Sequence, residues 1–322
     1  MITLSYALSL QNQIVPKPHF EMMHPMHSPH LDRRQFLRTT LAASAAATGL
    51  LPSLLTAASP EWEIGCFNRP WSKWSYDDAL DQLKIAGFKT TGLVGNHQTN
   101  PESLLSYDSR LKYLTELKER IHSRGIKPLT AWIRGPKAKD HDGKVKELKA
   151  LVDRAAHLGL PWLLSGGPRT HETVEEYAAV TAVVARHAAD KGVKIAMKPH
   201  GGDGAEIEKC LSLINHDNFS IWYDAGNIVY YTGRDPVKEL KSLAPHVTGF
   251  CAKDCEGQKS PVMIQFGDGK VDFKPVFQIL KDAGFNGPVM IECTGTGDSP
   301  EATRKLAEAN RKFLKKTFDS LS

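Results

Sequence analysis

The stretch Ile221-Trp222-Tyr223-Asp224-Ala225-Gly226-Asn227 decides the fold, because a short apolar run stops at a carboxylate followed at once by glycine and asparagine. Such a run predicts a buried strand that carries an acid at its C-terminal end. Three other runs end in a charged residue: 193–197 leads into Lys198, 247–252 into Lys253 and 288–291 into Glu292. In a barrel of parallel strands and helices, the side chains at these ends converge on one pocket. The sequence therefore predicts a functional site built from strand ends.

A recurring glycine separates the predicted helices from the predicted strands. Glycine lies between an amphipathic segment and the next apolar run at Gly87, Gly125, Gly159, Gly192 and Gly284. The first four are 38, 34 and 33 residues apart, which suits strand-helix units of roughly 30 residues or more that end in a left-handed glycine. This spacing predicts eight strands, at 63–67, 90–94, 127–133, 161–164, 193–197, 221–223, 247–252 and 288–291.

The predicted fold class is therefore α/β, a single (β/α)8 TIM barrel formed by residues 59–322. Its length is close to the roughly 250 residues typical of such barrels. An open doubly wound sheet is the main competitor, but no GxGxxG motif follows the first strand. Residues 76–86 are predicted to form the first helix, with Ser75 as its N-cap, and residues 300–318 the last helix of the outer wall.

Residues 1–58 are predicted to be a signal peptide and an N-terminal extension. The segment Asp32-Arg33-Arg34-Gln35-Phe36-Leu37-Arg38 matches the twin-arginine pattern, and a charge-free run and three small residues follow it. That run is short and contains Gly49 and Pro52, which argues against a stable membrane span. We therefore expect a periplasmic or otherwise exported protein that uses the twin-arginine export machinery.

The charge of the chain bears on its binding partners, and its cysteine content bears on the state of its thiols. The chain carries 41 Lys and Arg against 36 Asp and Glu, a net charge of +5, and no basic run with interleaved aromatic residues. Nucleic-acid binding therefore has no support. The five cysteines lie mostly in apolar runs and are predicted to be free, buried thiols: Cys66, Cys210, Cys251, Cys255 and Cys293. The oligomeric state stays open.

Six short motifs follow one another in the second half of the chain: His200-Gly201-Gly202, Asp224-x-Gly226-Asn227, Gly233-x-Asp235-Pro236, Lys253-Asp254, Gly267-x-Gly269-x-Val271-Asp272-Phe273 and Gly287-Pro288-x-x-x-Glu292. Their order resembles that of the xylose-isomerase-like barrel superfamily, which holds sugar isomerases and epimerases. The resemblance extends over about residues 61–318. It implies a small-molecule carbohydrate as the substrate.

The resemblance also implies one divalent metal ion, of manganese, cobalt, magnesium or zinc. Its expected ligands are Glu, Asp, His and Glu after strands five, six, seven and eight. Asp224 and Glu292 match two of these positions, whereas Lys198 and Cys251 stand at the other two. A protonated lysine cannot ligate a cation. Lys198 is therefore expected either to lie between the two carboxylates and replace the charge of the metal, or to form a structural ion pair.

The reaction that the resemblance implies is proton transfer next to a carbonyl, by an exported sugar isomerase or epimerase. Glu292 is the expected general base, with His200 or Lys198 as its acid partner. A lyase or hydratase acting on an oxidised sugar begins with the same step. A non-catalytic sugar-binding barrel is the alternative from a different functional class.

Polar residues at other strand ends are expected to bind the substrate. Asn227 and Lys253 follow strands six and seven, and Arg134 follows strand three, where it would hold a carboxylate or phosphate or pair with Asp140. Further side chains that suit a hydroxylated ligand are Asn68, Arg69, His97, Trp132 and Ser165.

Overall fold

The computed structural model describes residues 60–95, 97 and 104–322, and this part of the chain contains one closed barrel of eight parallel strands. The strands pair in sequence order, and the first also pairs with the last. They are β1 (Ile64–Phe67), β2 (Thr90–Leu93), β3 (Lys127–Trp132), β4 (Trp162–Ser165), β5 (Lys194–Met197), β6 (Phe219–Tyr223), β7 (Val247–Ala252) and β8 (Val289–Ile291). The predicted single (β/α)8 barrel is confirmed. The predicted signal peptide, residues 1–58, lies outside the described residues.

Helices connect the strands and form the outer layer. They are α1 (Tyr76–Ile85), α2 (Leu111–His122), α3 (His141–Leu158), α4 (Val174–Asp190), α5 (Gly204–Ile214), α6 (Pro236–Leu243), α7 (Phe273–Asp282) and α8 (Pro300–Asp319). Ser75 caps α1 as expected, since its hydroxyl accepts from Asp78 N at 3.0 Å and Ser75 N donates back to Asp78 Oδ2 at 3.1 Å. The five predicted glycine stops all have φ between 69° and 85°, a range that residues with a Cβ rarely adopt. Among the described helices, none is both long and apolar enough to cross a membrane.

Two apolar layers hold the barrel together. The larger one packs the helices onto the outer surface of the strands. The smaller one fills the barrel interior and consists of Phe67, Leu164, Ala196, Trp222, Cys251 and Met290, all with no exposed surface. Glycines on neighbouring strands make room for the two largest rings, because a Cβ at Gly92 would overlap Phe67 and a Cβ at Gly249 would overlap Trp222. This packed interior closes the barrel beneath the strand ends.

Several strand ends differ from the prediction by one or two residues. The sequence predicts that strand β2 includes Val94, whereas the structure ends it at Leu93. The reason is a side chain: Asn68 Oδ1 accepts from Val94 N at 2.8 Å, and Asn68 Nδ2 donates to Val94 O at 3.0 Å. An amide side chain thus takes the place of a neighbouring strand at this residue. The five cysteines are free and buried, as predicted.

Candidate active site

Four buried charged side chains meet at the C-terminal ends of β5, β6, β7 and β8. Lys198, Asp224, Lys253 and Glu292 each come directly after the last residue of their strand and are at most 3% exposed. Because parallel strands end at the same face of a barrel, their next residues lie side by side. The cluster that the sequence predicted from strand ends is therefore present.

The ammonium group of Lys198 lies between the two carboxylates. Its Nζ is 2.6 Å from Glu292 Oε2 and 3.3 Å from Asp224 Oδ2. It is also 3.8 Å from Cys251 Sγ and 5.3 Å from the centre of the Trp132 ring. Lys198 thus contacts both acids that the resemblance assigned to a metal.

A second ammonium group shares the same carboxylates. Lys253 Nζ is 3.0 Å from Asp224 Oδ2 and 3.4 Å from Glu292 Oε2, and it donates a hydrogen bond to Asn227 Oδ1. Asn227 is itself fixed, since its Nδ2 donates to Pro199 O at 2.9 Å. The sequence placed Lys253 and Asn227 with substrate binding and gave no sign that they hold the acid cluster.

A third cation comes from the first strand. Arg69 Nη1 donates to Glu292 Oε1 at 2.7 Å, and the Arg69 side chain is 34% exposed. The sequence identified Arg69 only as a polar residue after β1, because nothing in a linear pattern pairs it with a residue 223 positions later. The closed barrel makes the pair, since β1 lies beside β8. Two carboxylates therefore face three cations.

These contacts fix the charge of the central groups. Burial alone would raise the pKa of Glu292, but Lys198, Lys253 and Arg69 outweigh it and hold that pKa well below its usual range. Burial opposes the charge of Lys253, yet Asp224 and Glu292 raise its pKa above the ordinary value. For Lys198 burial is likewise outweighed, by the carboxylates of Glu292 and Asp224, so its pKa is also raised. Glu292 is thus an ionised carboxylate whose oxygens already accept from cations.

His200 is the neutral group of the site. Its Nδ1 is 2.8 Å from Lys198 O, and its ring lies between Trp132 and Tyr231, with centroid distances of 4.6 and 5.1 Å. Burial and then the charge of Lys198 lower the pKa of His200 to about 4. Because a carbonyl oxygen only accepts, Nδ1 carries the proton, and Nε2 keeps its lone pair.

A cavity of about 460 Å³ opens above the cluster. Its described lining includes charged, polar and aromatic side chains, Arg69, Trp132, Arg134, Lys198, His200, Asn227, Tyr230, Tyr231, Lys253 and Glu292, and the rest of the lining is aliphatic apart from one glycine. Arg134 therefore reaches the cavity, while Asp140 caps α3 by accepting from Gly143 N at 2.8 Å. Asn68 and His97 do not line it, because they bond to each other at 2.7 Å beside β2. Polar groups around aromatic faces suit a hydroxylated ring.

Asp254 explains one motif whose role the sequence did not reveal. Its carboxylate is fully buried and accepts from the backbone N–H groups of Cys255, Gly267, Gly269 and Val271 at 2.8 to 3.1 Å. A Cβ at Gly269 would overlap Asp254 Oδ1, which accounts for that glycine. The loop held in this way carries Gln265, whose Oε1 accepts from Gly295 N at 2.9 Å, close behind Glu292. Asp254 thus positions the loop that supports the end of β8.

The model of one protein family matches this chain over residues 80–317, and its description is Xylose isomerase-like TIM barrel. The chain belongs to this family. The sequence resemblance to the same superfamily is therefore confirmed.

The proteins to which this chain is similar carry different names. The chain is 25% identical over 257 residues to the inosose dehydratase of Clostridium botulinum (strain Alaska E43 / Type E3), covering 68% of this chain and 82% of that protein. D-allulose 3-epimerase from Methylomonas sp. in complex with D-allulose is 17% identical, with a TM-score of 0.62 over 80% of this chain and 98% of that one. A xylose isomerase-like TIM barrel protein from Mycobacterium smegmatis in complex with magnesium is 13% identical, with a TM-score of 0.62 over 81% and 97%. At these identities the two structures show a shared fold.

A group that could hold a metal in this family member consists of Asp224, Cys251 and Glu292, whose ligand atoms lie within 4.8 Å of one another. Lys198 Nζ contacts one atom of each of these three residues. A protonated lysine offers no lone pair and repels a dication. Burial and the neighbouring Glu292 also raise the pKa of the Cys251 thiol well above its ordinary value, away from the thiolate that binds metals. As arranged here, these residues do not fit the divalent ion that the resemblance implies.

Proposed function

We propose that this barrel catalyses proton transfer at a carbon next to a carbonyl group of a sugar or sugar derivative. In this proposal the ammonium groups of Lys198 and Lys253 supply the positive charge of the site. The observation that carries it is the position of Lys198 Nζ, which contacts all three residues of the group that could hold a metal. The family membership supports the carbohydrate substrate.

The chemical task of the two ammonium groups is to stabilise negative charge on the substrate. Removing a proton beside a carbonyl leaves that charge on the carbonyl oxygen. Lys198 and Lys253 both line the cavity, so an oxygen placed above them would meet two positive charges already held in place by Asp224 and Glu292. Charges that are fixed before the reaction, and shielded from water, stabilise such an oxyanion by several kcal/mol.

The proton acceptor that best fits the geometry is His200. Glu292, the base expected from the sequence, already accepts from Arg69, Lys198, Lys253 and Cys251, and its lowered pKa makes it a weak base. His200 is neutral at pH 7 and lines the same cavity with an unprotonated Nε2. Negative charge developing on the substrate would raise the basicity of this ring during the reaction. We therefore assign the proton transfer to His200 and the orientation of the ammonium groups to Glu292.

Two outcomes can follow the first proton transfer. Return of a proton to the opposite face, or to the neighbouring carbon, gives an epimer or an isomer. Expulsion of a hydroxyl group from the next carbon, with a proton, gives dehydration. The dehydratase is the second candidate, favoured by the naming of sequence relatives as inosose dehydratases.

We also propose that the enzyme acts outside the cytoplasm after twin-arginine export. The support is the Arg33-Arg34 pair ahead of a weakly apolar, charge-free run. Free cysteines agree with this route, since twin-arginine cargo folds before export and need not depend on disulfides.

Hydrogen exchange tests the proposed reaction whichever product is formed. A panel of neutral and oxidised keto sugars is incubated with the protein in D2O, and deuterium at the carbon beside the carbonyl is measured by NMR. We expect exchange with at least one sugar, and about a hundredfold slower exchange after His200→Gln. His246→Gln, at an exposed histidine outside the cavity, is the matched control and should leave the rate unchanged. Binding of a sugar without any exchange would instead indicate a non-catalytic sugar-binding barrel.

A further inference from the structure

The charges around the cavity do not balance. The central cluster contains the cations Arg69, Lys198 and Lys253 and the anions Asp224 and Glu292, which leaves one positive charge in excess. Both lysines and both acids have side chains at most 4% exposed, so water screens this excess charge poorly. Among the described residues that line the cavity, Glu292 is the only acid.

The excess charge is most accessible at Arg69. Each lysine contacts both carboxylates, and Lys253 also donates to Asn227. Arg69 donates one hydrogen bond, from Nη1 to Glu292 Oε1, although a guanidinium group has five N–H donors. Its side chain is 34% exposed and lines the cavity. Arg69 therefore keeps N–H donors that no acceptor in the described part of the chain uses.

We propose that the cavity takes a carbohydrate that carries a negative charge, a carboxylate or a phosphate, and that Arg69 binds this group. The planar fork of a guanidinium group matches the two oxygens of either anion. An anion at Arg69 would balance the cluster, and the ring of the same molecule would lie beneath the aromatic residues of the lining. This inference rests on the proposed function, because it places the carbohydrate in the same cavity.

Binding measurements separate this inference from the proposed reaction. Titration calorimetry with the full chain uses three probes that share one ring, D-glucose, D-glucuronate and D-glucose 6-phosphate, together with inorganic phosphate. We expect one or both sugar anions to bind about tenfold to a hundredfold more tightly than D-glucose. The stronger of the two identifies the charged group.

Variants of Arg69 supply the control for charge. Arg69→Gln should remove the preference for the anion, and Arg69→Lys should keep part of it, since the charge remains while the fork is lost. Arg186→Gln, at an exposed arginine of α4, should change nothing. Thermal melting of each variant without sugar shows whether it is folded, and Arg69→Lys replaces Arg69→Gln if the latter is not.

Three results would overturn the inference. D-glucose could bind as tightly as both anions, the preference could survive in Arg69→Gln, or inorganic phosphate alone could bind as tightly as the sugar phosphate. In the first case, deuterium exchange with a neutral sugar would leave the proposed function standing. In the third, the cavity would be an anion site without a sugar site.

Discussion

Replacing Lys198 with methionine tests how much the cluster depends on that ammonium group. Methionine keeps most of the length of the side chain but removes the charge that lies 2.6 Å from Glu292 and 3.3 Å from Asp224. Breaking a buried ion pair by removing one partner costs about 3–5 kcal/mol. Lys253 and Arg69 remain beside the same carboxylates, so the lower end, about 3 kcal/mol, is expected. In a domain of this size that corresponds to a fall in melting temperature of roughly 6–12 °C.

The loss of stability caused by Lys198→Met should depend on pH in a defined direction. The folded-state pKa of Glu292 lies below its ordinary value of 4.5, so its ion pairs stabilise the fold above that pH and lose this effect as pH falls through the folded value. Lys198→Met removes one of three cations and moves that pKa back upward. The destabilisation should therefore be full and constant from about pH 5 to pH 9 and should shrink below about pH 4.

Urea denaturation of the parent and the variant at several pH values measures both effects. Lys194→Met is the matched control, because Lys194 begins β5, the strand that precedes Lys198, and its exposed side chain makes a cation–π contact with Trp162. Lys194→Met should lower the free energy of unfolding by less than about 1 kcal/mol. A loss for Lys198→Met as small as that of the control, or one that grows toward low pH, would refute the charge arrangement described here.

Three further changes test other parts of the structure. Glu292→Gln should slow deuterium exchange by at least about a hundredfold, because three cations would then face one carboxylate. An unchanged exchange rate would show that Glu292 has no role in the reaction. Asp254→Asn should lower the free energy of unfolding, measured by urea denaturation, by about 2–4 kcal/mol, since an amide cannot accept from four backbone N–H groups. A decrease near zero would show that the loop does not depend on Asp254. Arg33→Lys combined with Arg34→Lys should leave the precursor in the cytoplasm on cell fractionation, and normal export of that variant would contradict the twin-arginine route.

The fold was predictable because its determinants are local in the sequence. Each glycine stop, such as Gly159 after α3, needs only a positive φ at a helix end, and each strand is a short apolar run. The residues after β5 to β8 followed from one geometric rule, that parallel strands end at the same face of a barrel. Lys198 between Asp224 and Glu292 could be expected from this rule together with charge.

The parts that sequence reasoning missed depend on contacts between distant segments. The predicted barrel places β1 beside β8, but the contact of Arg69 with Glu292 also depends on the conformation of the chain after β1, which the sequence pattern does not record. The bond between Lys253 and Asn227 could not be predicted either, because it depends on the conformation of the chain after β6. The proposal of His200 rather than Glu292 as the base likewise rests on the contacts of Glu292, which accepts from four donors.

Isothermal titration of Mn²⁺ or Co²⁺ tests most directly whether Lys198 occupies the position of a metal ion. The titration compares the parent protein with the double variant Lys198→Glu, Cys251→His, which would supply the two missing ligand types beside Asp224 and Glu292. We expect weak or no binding by the parent and binding at least about a hundredfold tighter by the double variant. Tight stoichiometric binding by the parent, with loss of deuterium exchange once the ion is stripped, would contradict this expectation.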